Sequence, residues 1–561
     1  MPQDAFTLKY IARELKECFT GGKISKINQP AKDLLSLLIY TRNGTLKLDI
    51  DLSAKYCRIS AGERTETPNP KVAPNFCMLL RKHLQNAEIT EISQVDFERI
   101  IRIDFKCFSE FEIAELQLYL EIMGKYSNAI LVKDGIILGA LKTASLETGA
   151  RRVMMSGAKY LLPEKQDKAD PTNLEELEKA FGAKCGDAAE FIANRVAGIA
   201  FVTAADIVAE YGENISAKQL YGYVNDPSYT PCLILRDGEP CDFKARKTAN
   251  ASQRKTLLEA QAEFYGYAVR KKAFADKKRR LVSAVNSAQK KVEKQLAQTY
   301  EKLSECDKSE EIKLKGELIT ANIYAIERGL SSFEAVNYYD ENCGKITVEL
   351  DPRLTPSQNA QKYYKRYQKL KRTATTLNAR KTESEAKRQY LNSISANLEL
   401  AETPEDLIET EEELISLSLL PAPKAEGKKG NKKAAPENPF RTYEFEGVKI
   451  VCGRNNAQND RLTKGLAPTD IWLHVKSFHS SHVAILTQGK EASDGAVKLA
   501  AEVCAYYSDA RGKDKVAVDY TQKKYVKKPN GANLGFAVYT DYKTITVTPN
   551  AHTEERSDER E

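Results

Sequence analysis

The sequence predicts a multidomain α+β chain: a β-rich N-terminal domain, a small helical domain of the helix-hairpin-helix kind, a long antiparallel coiled-coil hairpin and a C-terminal α+β domain. Three observations carry this expectation. At 561 residues the chain is several times the size of one ordinary domain of roughly 150. Short apolar runs punctuated by Asn-Gly and Asp-Gly fill the first 165 residues, whereas a proline-free middle carries apolar residues at spacings of three and four. A stretch of lysine, alanine and proline then separates that middle from a last segment of short strand-like runs and one helix. The expected divisions are 1–172, 173–250, 251–420, a basic linker at 421–439, 440–552, and a disordered tail at 553–561.

The first element is a helix near Ala5 to Cys18. Two apolar runs, Leu34 to Tyr40 and Leu46 to Ile50, flank Arg42-Asn43-Gly44, where Asn-Gly in a two-residue loop would supply the positive φ angles of a type I′ turn. The same reasoning places a hairpin at Asp134-Gly135, between Ala129–Val132 and Ile136–Leu138. Between the hairpins, Phe76 to Leu84 has the pattern of an amphipathic helix, and Ile89 to Phe105 and Ile113 to Ile122 read as further strands.

Residues from about Pro171 to Tyr223 are alanine-rich with helical spacing. Val196-Ala197-Gly198-Ile199 sits between two helical runs, the second carrying Ala204-Ala205-Asp206-Ile207-Val208, as in a helix-hairpin-helix unit. Such a turn offers backbone N–H groups at a helix N-terminus, where a phosphate can dock. Two core-packing helices joined by a glycine turn give the same pattern.

From Ser252 to Arg328 there is no proline, and Leu281, Val285, Ala288, Val292, Leu296, Thr299 and Leu303 form one apolar stripe. A return arm, about Thr355 to Leu400, repeats the spacing through Tyr364, Tyr367, Leu370, Ala374 and Leu377, then Leu391, Ile394 and Leu398. The two arms can bury their stripes against each other. Unbroken, the outgoing arm would project on the order of 100 Å at about 1.5 Å per residue, with Asp307-Lys308-Ser309 as a point of interruption. Ala335–Tyr339 and Lys345–Leu350, around Asn342-Cys343-Gly344, predict a small β element at the tip. The linker, with Lys428-Lys429-Gly430-Asn431-Lys432-Lys433, lacks the apolar bulk for a core. The last domain, about Phe440 to Pro549, has a helix near Glu491 to Tyr507.

Hydrophobic residues at 42% and charged residues at 29% exclude wholesale disorder. No run of 18 apolar residues occurs, since Ala129 to Leu141 is cut by Lys133 and Asp134, so no membrane partner is expected. The start, Met1-Pro2-Gln3-Asp4-Ala5-Phe6, has neither a basic nor an apolar leader segment. Eleven cysteines without a Cys-x-x-Cys pair argue against disulfides and structural zinc, and reduced thiols fit a cytoplasmic location.

A net charge of +7 decides little by itself; its distribution says more. Between Asp351 and Glu383 there is no acidic residue, while Lys362, Lys365, Arg366, Lys369, Lys371 and Arg372 crowd one stretch with Tyr363, Tyr364 and Tyr367 interleaved. Basic groups neutralise phosphates and tyrosines stack on unpaired bases, so this surface is compatible with RNA. Solubilising charges on a coiled coil whose tyrosines belong to the seam would look alike. Three more clusters tip the balance towards nucleic acid: Arg270-Lys271-Lys272, Lys277-Lys278-Arg279-Arg280, and Lys523-Lys524-Tyr525-Val526-Lys527-Lys528. There is no phosphate loop, no Gly-x-Ser-x-Gly elbow and no His-Glu-x-x-His, so no enzymatic site and no cofactor is expected. His474, His479 and His482 lack a carboxylate or cysteine partner for a metal, and stacking or hydrogen bonding suits them better.

Longer motifs are more specific. Asn455-Asn456-x-x-Asn459-Asp460-x-Leu462-Thr463, Asp470-Ile471-Trp472-Leu473-His474-Val475, Ser481-His482-Val483, Val518-Asp519-Tyr520-Thr521 and Lys527-Lys528-Pro529-x-Gly531 resemble the NFACT-R domain that closes the RqcH family of ribosome quality-control factors, also known as fibronectin-binding proteins. Gly22-Lys23-Ile24-x-Lys26-Ile27-x-Gln29-Pro30, Phe76–His83 and Met123-Gly124-Lys125-Tyr126-Ser127-Asn128 resemble NFACT-N. Gly316–Asn322, Leu350-Asp351-Pro352 and Ser357-x-Asn359-Ala360-Gln361-Lys362-Tyr363 resemble the middle coiled-coil region.

The resemblance implies a factor that binds the split large ribosomal subunit, its rRNA and its peptidyl-tRNA. It would recruit alanyl-tRNA (tRNA-Ala) so that an alanine tail is added without mRNA and marks the stalled chain for degradation, with a small RNA-binding helper protein. Peptide-bond chemistry would stay with the ribosome. The family's Asp-Arg pair for tRNA handling falls at Glu98-Arg99, a departure that keeps the charges and adds a methylene. Arg99 can fork onto phosphate and Glu98 can accept from an amine or orient the arginine, although a surface ion pair on a strand would look identical. Lys362, Lys365, Arg366, Lys369, Arg372, Trp472, His474, His482, Lys527 and Lys528 are the further candidate RNA contacts. Two rival readings remain: a fibronectin-binding surface adhesin, and a DNA glycosylase using Pro2, the latter opposed by Gln3 and the missing four-cysteine finger. A bare coiled-coil linker would leave the terminal domains unexplained.

Overall fold

A computed structural model describes residues 3–63, 70–108, 113–145, 152–248, 251–339, 344–422, 439–554 and 556. Most of the basic linker and of the tail, the tip residues Asn342 and Cys343, and Met1-Pro2 therefore lie outside the described residues. The chain divides into two units, Met1–Lys271 and Lys272–Glu561.

The first unit opens with helix α1 (Ala5–Phe19), capped by Asp4, whose side chain accepts from the Thr7 N–H. A nine-stranded sheet follows: β1 (Lys23–Ala31), β2 (Leu34–Thr41), β3 (Gly44–Asp51), β4 (Arg58–Glu63), β5 (Glu88–Gln94), β6 (Ile100–Phe108), β7 (Ile113–Glu121), β8 (Asn128–Lys133) and β9 (Ile136–Ala140). Their order is β4-β3-β2-β1-β5-β6-β7-β8-β9. Helix α2 (Asn75–Leu84) lies in the crossover between β4 and β5. Ile11, Leu15 and Phe19 of α1 join Ile24, Leu37 and Ile89 of the strands in one buried core.

The two hairpins differ. Asp134 and Gly135 both take positive φ, 51° and 76°, the mirror turn that the sequence predicts. At the first hairpin Thr41 pairs with Gly44, so the loop residues are Arg42 and Asn43, and only Gly44 takes positive φ. The type I′ expectation is corrected there: Gly44 serves as the first residue of its strand, after the turn, and relieves the twist at that point.

Helices α3 (Leu174–Phe181), α4 (Ala188–Arg195), α5 (Phe201–Tyr211) and α6 (Ala217–Asn225) come next. Leu177, Ile192, Ile207 and Leu220 belong to the same core as the large sheet. An unexpected three-stranded sheet, order β11-β10-β12, follows them: β10 (Cys232–Arg236), β11 (Glu239–Lys244) and β12 (Ala251–Gln253). The division expected to be a small helical domain thus ends in a hairpin, and its signal was Asp237-Gly238, both at positive φ.

Helix α7 (Leu257–Cys306) starts on a buried acid. The Glu14 carboxylate, 5% exposed, accepts from the N–H groups of Leu257 at 2.8 Å and Leu258 at 2.9 Å and from the Tyr229 hydroxyl. Burial raises the Glu14 carboxyl above its ordinary value against the pull of those two N–H groups. Glu14→Ala would strand the Leu258 N–H, leave that of Leu257 with the Tyr229 hydroxyl alone, and is expected to cost about 2 kcal/mol. Urea unfolding of the variant measures this; an unchanged midpoint would refute the cap.

In the second unit α7 ends where Asp307-Lys308 interrupts it, and α8 (Ser309–Ala321) continues the outgoing arm. Strands β13 (Ser332–Val336) and β14 (Lys345–Glu349) pair antiparallel, as the tip pattern predicts. The return arm is α9 (Pro356–Leu400), opened by a capping box of Thr355 and Gln358 with proline at the first turn. Leu281 and Val285 pack on Ile394 and Leu398. Ala288, Val292 and Leu296 pack on Leu391. Leu303 is only half-buried, consistent with its place one turn before the break. A short helix, α10 (Ile408–Ser416), follows the return arm.

The last segment holds β15 (Arg441–Phe445), β16 (Val448–Cys452), α11 (Asn456–Gly465), β17 (Ile471–Val475), β18 (Val483–Leu486), α12 (Asp494–Tyr506), β19 (Val516–Gln522), β20 (Val526–Lys527), β21 (Val538–Tyr539) and β22 (Lys543–Val547). Six strands form one sheet, ordered β15-β16-β18-β17-β19-β22, and β20 pairs with β21 in a separate ribbon. Alternation along β17 sends Leu473 and Val475 to the α12 side. Trp472 goes to the opposite face, with Leu462 and Val526.

Candidate nucleic-acid interface

Glu98 and Arg99 lie in the turn from β5 to β6, not on a strand as one reading had it. Asp96 takes φ +50° and is exposed, Phe97 is buried, and Glu98 and Arg99 are half-buried, so the turn is anchored by its apolar residue. The Gln94 amide donates to the carbonyls of Ala5 and Glu98, tying the turn to the start of α1. Among the described residues Glu98 and Arg99 form no ion pair with each other, and the Arg99 guanidinium has no hydrogen-bond partner. Lys165 pairs with Asp96 at 3.2 Å.

This turn and the turn between α4 and α5 line one cleft of about 410 Å³, which Glu98, Arg99, Gln166, Lys168, Gly198 and Ala200 share. Gly198 has φ +72°, and a Cβ there would come within 2.6 Å of Phe97 and 2.8 Å of Ala5. Its carbonyl accepts from the Ala5 N–H at 2.9 Å. The Asp4 carboxylate, besides capping α1, accepts from the Ala200 N–H at 3.0 Å. That N–H is therefore taken, and the expectation of a wholly open helix N-terminus is corrected to this extent. What the cleft offers a ligand is a half-buried guanidinium without a partner among the described residues, Lys168 nearby, and the start of α5 one residue beyond Ala200, beside the carboxylates of Asp4 and Glu98. Phosphate suits such a combination.

On α9, Lys362, Lys365, Arg366, Lys369 and Arg372 are all exposed and fall at helical spacings of three and four, so they make one basic face. Lys362 pairs with Asp351 at 3.2 Å. The other four have no ion-pair partner among the described residues. Tyr363 and Tyr364 are half-buried against Leu318 and Ile319 of α8, where Gly316 makes room for them. Tyr363 also donates to the Glu349 carbonyl. These two tyrosines belong to the seam, the second of the two readings that the sequence allowed.

The basic cluster on α7 is also spent internally. Lys277 and Arg280 both pair with Glu411, and Lys278 donates to the carbonyls of Glu399 and Ala401. Lys271 pairs with Glu239 at 2.7 Å.

In the C-terminal domain Trp472 is 1% exposed and His482 3% exposed. Both are interior residues that line a cleft of this domain. The Trp472 ring lies parallel to the half-buried His474 ring, with centroids 5.7 Å apart, and His482 stands edge-on to both. His482 Nδ1 lies 2.7 Å from the Thr463 hydroxyl, and its backbone N–H donates to Asn459. Burial pushes the His474 imidazole down to about 4 and that of His482 down to about 3, so both are neutral near pH 7. Lys528 is paired with Asp460, which corrects its reading as a free cation, whereas Lys527 is exposed. Among the described residues no group of three His, Cys, Asp or Glu side chains is arranged to hold a metal ion.

The sequence does not reveal a buried polar clamp. Asp406, 2% exposed, accepts from Arg441 at 2.8 Å and Arg454 at 2.7 Å, and from the N–H groups of Glu402 and Thr403. Asn455 and Gln458 donate to Glu409. Asn456 donates to Ser393 and Glu413 and accepts from Asn397. The asparagine-rich motif thus fastens this domain to the base of the return arm and to α10. Its only sequence signal is the density of amide side chains in a segment that turns out to be buried.

Comparison with known proteins shows the family. The family described as NFACT N-terminal and middle domains matches residues 4–433, and the one described as NFACT protein RNA binding domain matches residues 439–535. The chain is 32% identical over 560 residues to the Rqc2 homolog RqcH of Bacillus subtilis (strain 168), covering 97% of each chain. It is also 32% identical over 562 residues to the Rqc2 homolog RqcH of Streptococcus suis (strain 05ZYH33), covering 98% of each. The N-terminal structure of the fibronectin/fibrinogen-binding protein from Streptococcus suis matches 47% of this chain and 98% of its own, at 26% identity and a TM-score of 0.43. No helix among the described residues is long and apolar enough to cross a membrane.

Proposed function

This chain belongs to the RqcH family of NFACT proteins, and on that premise we propose that it is a ribosome quality-control factor that adds C-terminal tails to stalled nascent chains. It binds the split large subunit carrying peptidyl-tRNA and recruits alanyl-tRNA, acting in the cytoplasm with a small RNA-binding helper. The ribosome supplies the peptide-bond chemistry, and this chain acts as a binding factor, not as an enzyme. The observation that carries the reading is the cleft in which Arg99, without a side-chain partner among the described residues, stands beside the α4–α5 turn. A guanidinium held ready for a phosphate is a tRNA-handling group in a chain of this family. The exposed face of Lys365, Arg366, Lys369 and Arg372 supports contact with rRNA.

The test is to purify the tagged chain from its own cells at low salt and sequence the bound RNA. Large-subunit rRNA with one enriched tRNA class is the expected result. Absence of both would overturn the reading, and capture of fibronectin instead would favour the adhesin. Changing Lys365, Arg366, Lys369 and Arg372 together to Gln is expected to lower the slope of log affinity against log salt by about 3 to 4, near 0.9 per phosphate contact. A slope equal to the wild type would remove this face from the rRNA interface.

A further inference from the structure

The face of the C-terminal sheet opposite α12 carries a second cleft, of about 560 Å³. Aromatic residues Trp472, Tyr539 and Tyr390 line it, with Phe536 at 51% exposure and the exposed imidazole of His479. One wall is the β20–β21 ribbon, in which exposed Lys527 pairs with Val538, two residues from Phe536. The loop before it holds Gly531 and Gly535 at positive φ, and a Cβ on Gly535 would approach Asn456 Oδ1 to 3.0 Å.

Two features of this cleft are unexplained by folding. A large aromatic, Phe536, stays half in solvent at its edge, where burial would have been favourable. The Trp472 indole N–H is fully buried and has no hydrogen-bond partner among the described residues. A buried donor without an acceptor is costly, and such groups are uncommon in folded proteins unless something else satisfies them. Beside it lies the neutral His474 ring, one nitrogen of which is hydrogen-bonded to the Val475 backbone, leaving the other as an acceptor.

We propose that this cleft receives a single unstacked nucleobase of RNA, which stacks on its aromatic lining and brings a hydrogen-bond acceptor on its edge to the Trp472 and His474 side of the cleft. The proposal deepens, and rests on, the RNA-binding reading of this domain. Flat, polar-edged bases match a lining that sets aromatic faces beside polar side chains such as Gln389, Asn397 and Asn533, and a phosphate leaving the cleft would meet Lys527. A purely apolar ligand would leave the indole N–H unsatisfied.

Trp472 is the sole tryptophan of the chain, so its emission reports on this cleft alone. The full-length protein is titrated with tetraadenylate and with a ribose-phosphate tetramer lacking bases. Saturable quenching by tetraadenylate, at least about tenfold tighter than by the abasic tetramer, is expected from base–aromatic stacking. Equal responses to the two, or no response, would overturn the proposal. Phe536→Ala should weaken tetraadenylate binding about tenfold without moving the melting temperature, because its ring is exposed; unchanged affinity would overturn it. His474→Ala is the second probe, read by the same titration. Quenching that persists in a chain failing to bind large subunits would support the pocket while the tailing reading fell. Loss of quenching with tRNA capture intact would do the reverse.

Discussion

Arg99→Ala is expected to abolish capture of tRNA, weakening it by about 3 kcal/mol or roughly a hundredfold, with no change in folding stability. The size follows from removing a guanidinium that can make two charge-assisted hydrogen bonds to one phosphate. Stability should hold because, among the described residues, the guanidinium pairs with nothing in the folded chain. Arg99→Lys keeps the charge and loses the fork, so it should recover only part of the affinity. Glu98→Asp, which restores the residue the family resemblance leads one to expect, should bind at least as well as the wild type. Fluorescently labelled tRNA titrated into the three variants measures all of this. Wild-type affinity in Arg99→Ala would remove the cleft from tRNA handling.

The second large effect concerns Asp406. Replacing it with alanine would leave the Arg441 and Arg454 guanidiniums buried without their carboxylate, and removal of one partner from a buried pair costs about 3–5 kcal/mol. Unfolding followed by Trp472 fluorescence reports on the domain that the clamp holds. A loss under about 1 kcal/mol would mean that the clamp is not structural.

Acid should act on the same domain. Burial alone would raise the Asp406 carboxyl, but the two guanidiniums and the backbone N–H groups outweigh it and hold it below the ordinary value. Its contribution is complete above the unfolded value of about 4 and is lost as pH falls through the lower folded value. His474 and His482 act earlier. Their folded values, about 4 and about 3, lie below the unfolded value of about 6.5. As pH drops below about 6.5 the unfolded imidazoles take up protons that the folded ones refuse, so stability declines from there downward. A pH series of urea midpoints that stays flat between pH 7 and 5 would contradict this.

Much of the local structure was legible because its causes are local. The α2 helix, the Asp134-Gly135 turn, the tip hairpin and the break at Asp307-Lys308 all follow from spacing and turn chemistry within a few residues. The β10–β11 hairpin carried the same Asp-Gly signal but lay past the alanine-rich stretch, in a division expected to be a small helical domain. At the first hairpin a shift of one residue in register moved Gly44 out of the loop and into the strand.

The candidate site was legible in kind more than in detail. Arg99 and the α4–α5 turn are 100 positions apart, and nothing in either segment says that they share a cleft; Phe97 packed under Gly198 brings them together. Trp472 and His482 belong to motifs that mark an RNA-binding family, yet their own side chains are interior. Lysine clusters that look equivalent in sequence have opposite fates.

By itself, then, the sequence determined most of the helices and strands, the antiparallel pairing of the long arms, and the family. Periodicity and turn preference act between near neighbours, so they can be read along the chain. Only the tertiary structure decided which charges remain available to a ligand. Arg280 is neutralised by an acid 131 positions away, while Lys365 and Arg366, on an equally basic stretch of helix, meet no acid among the described residues. Coulomb attraction depends on distance in space, and folding alone sets that distance.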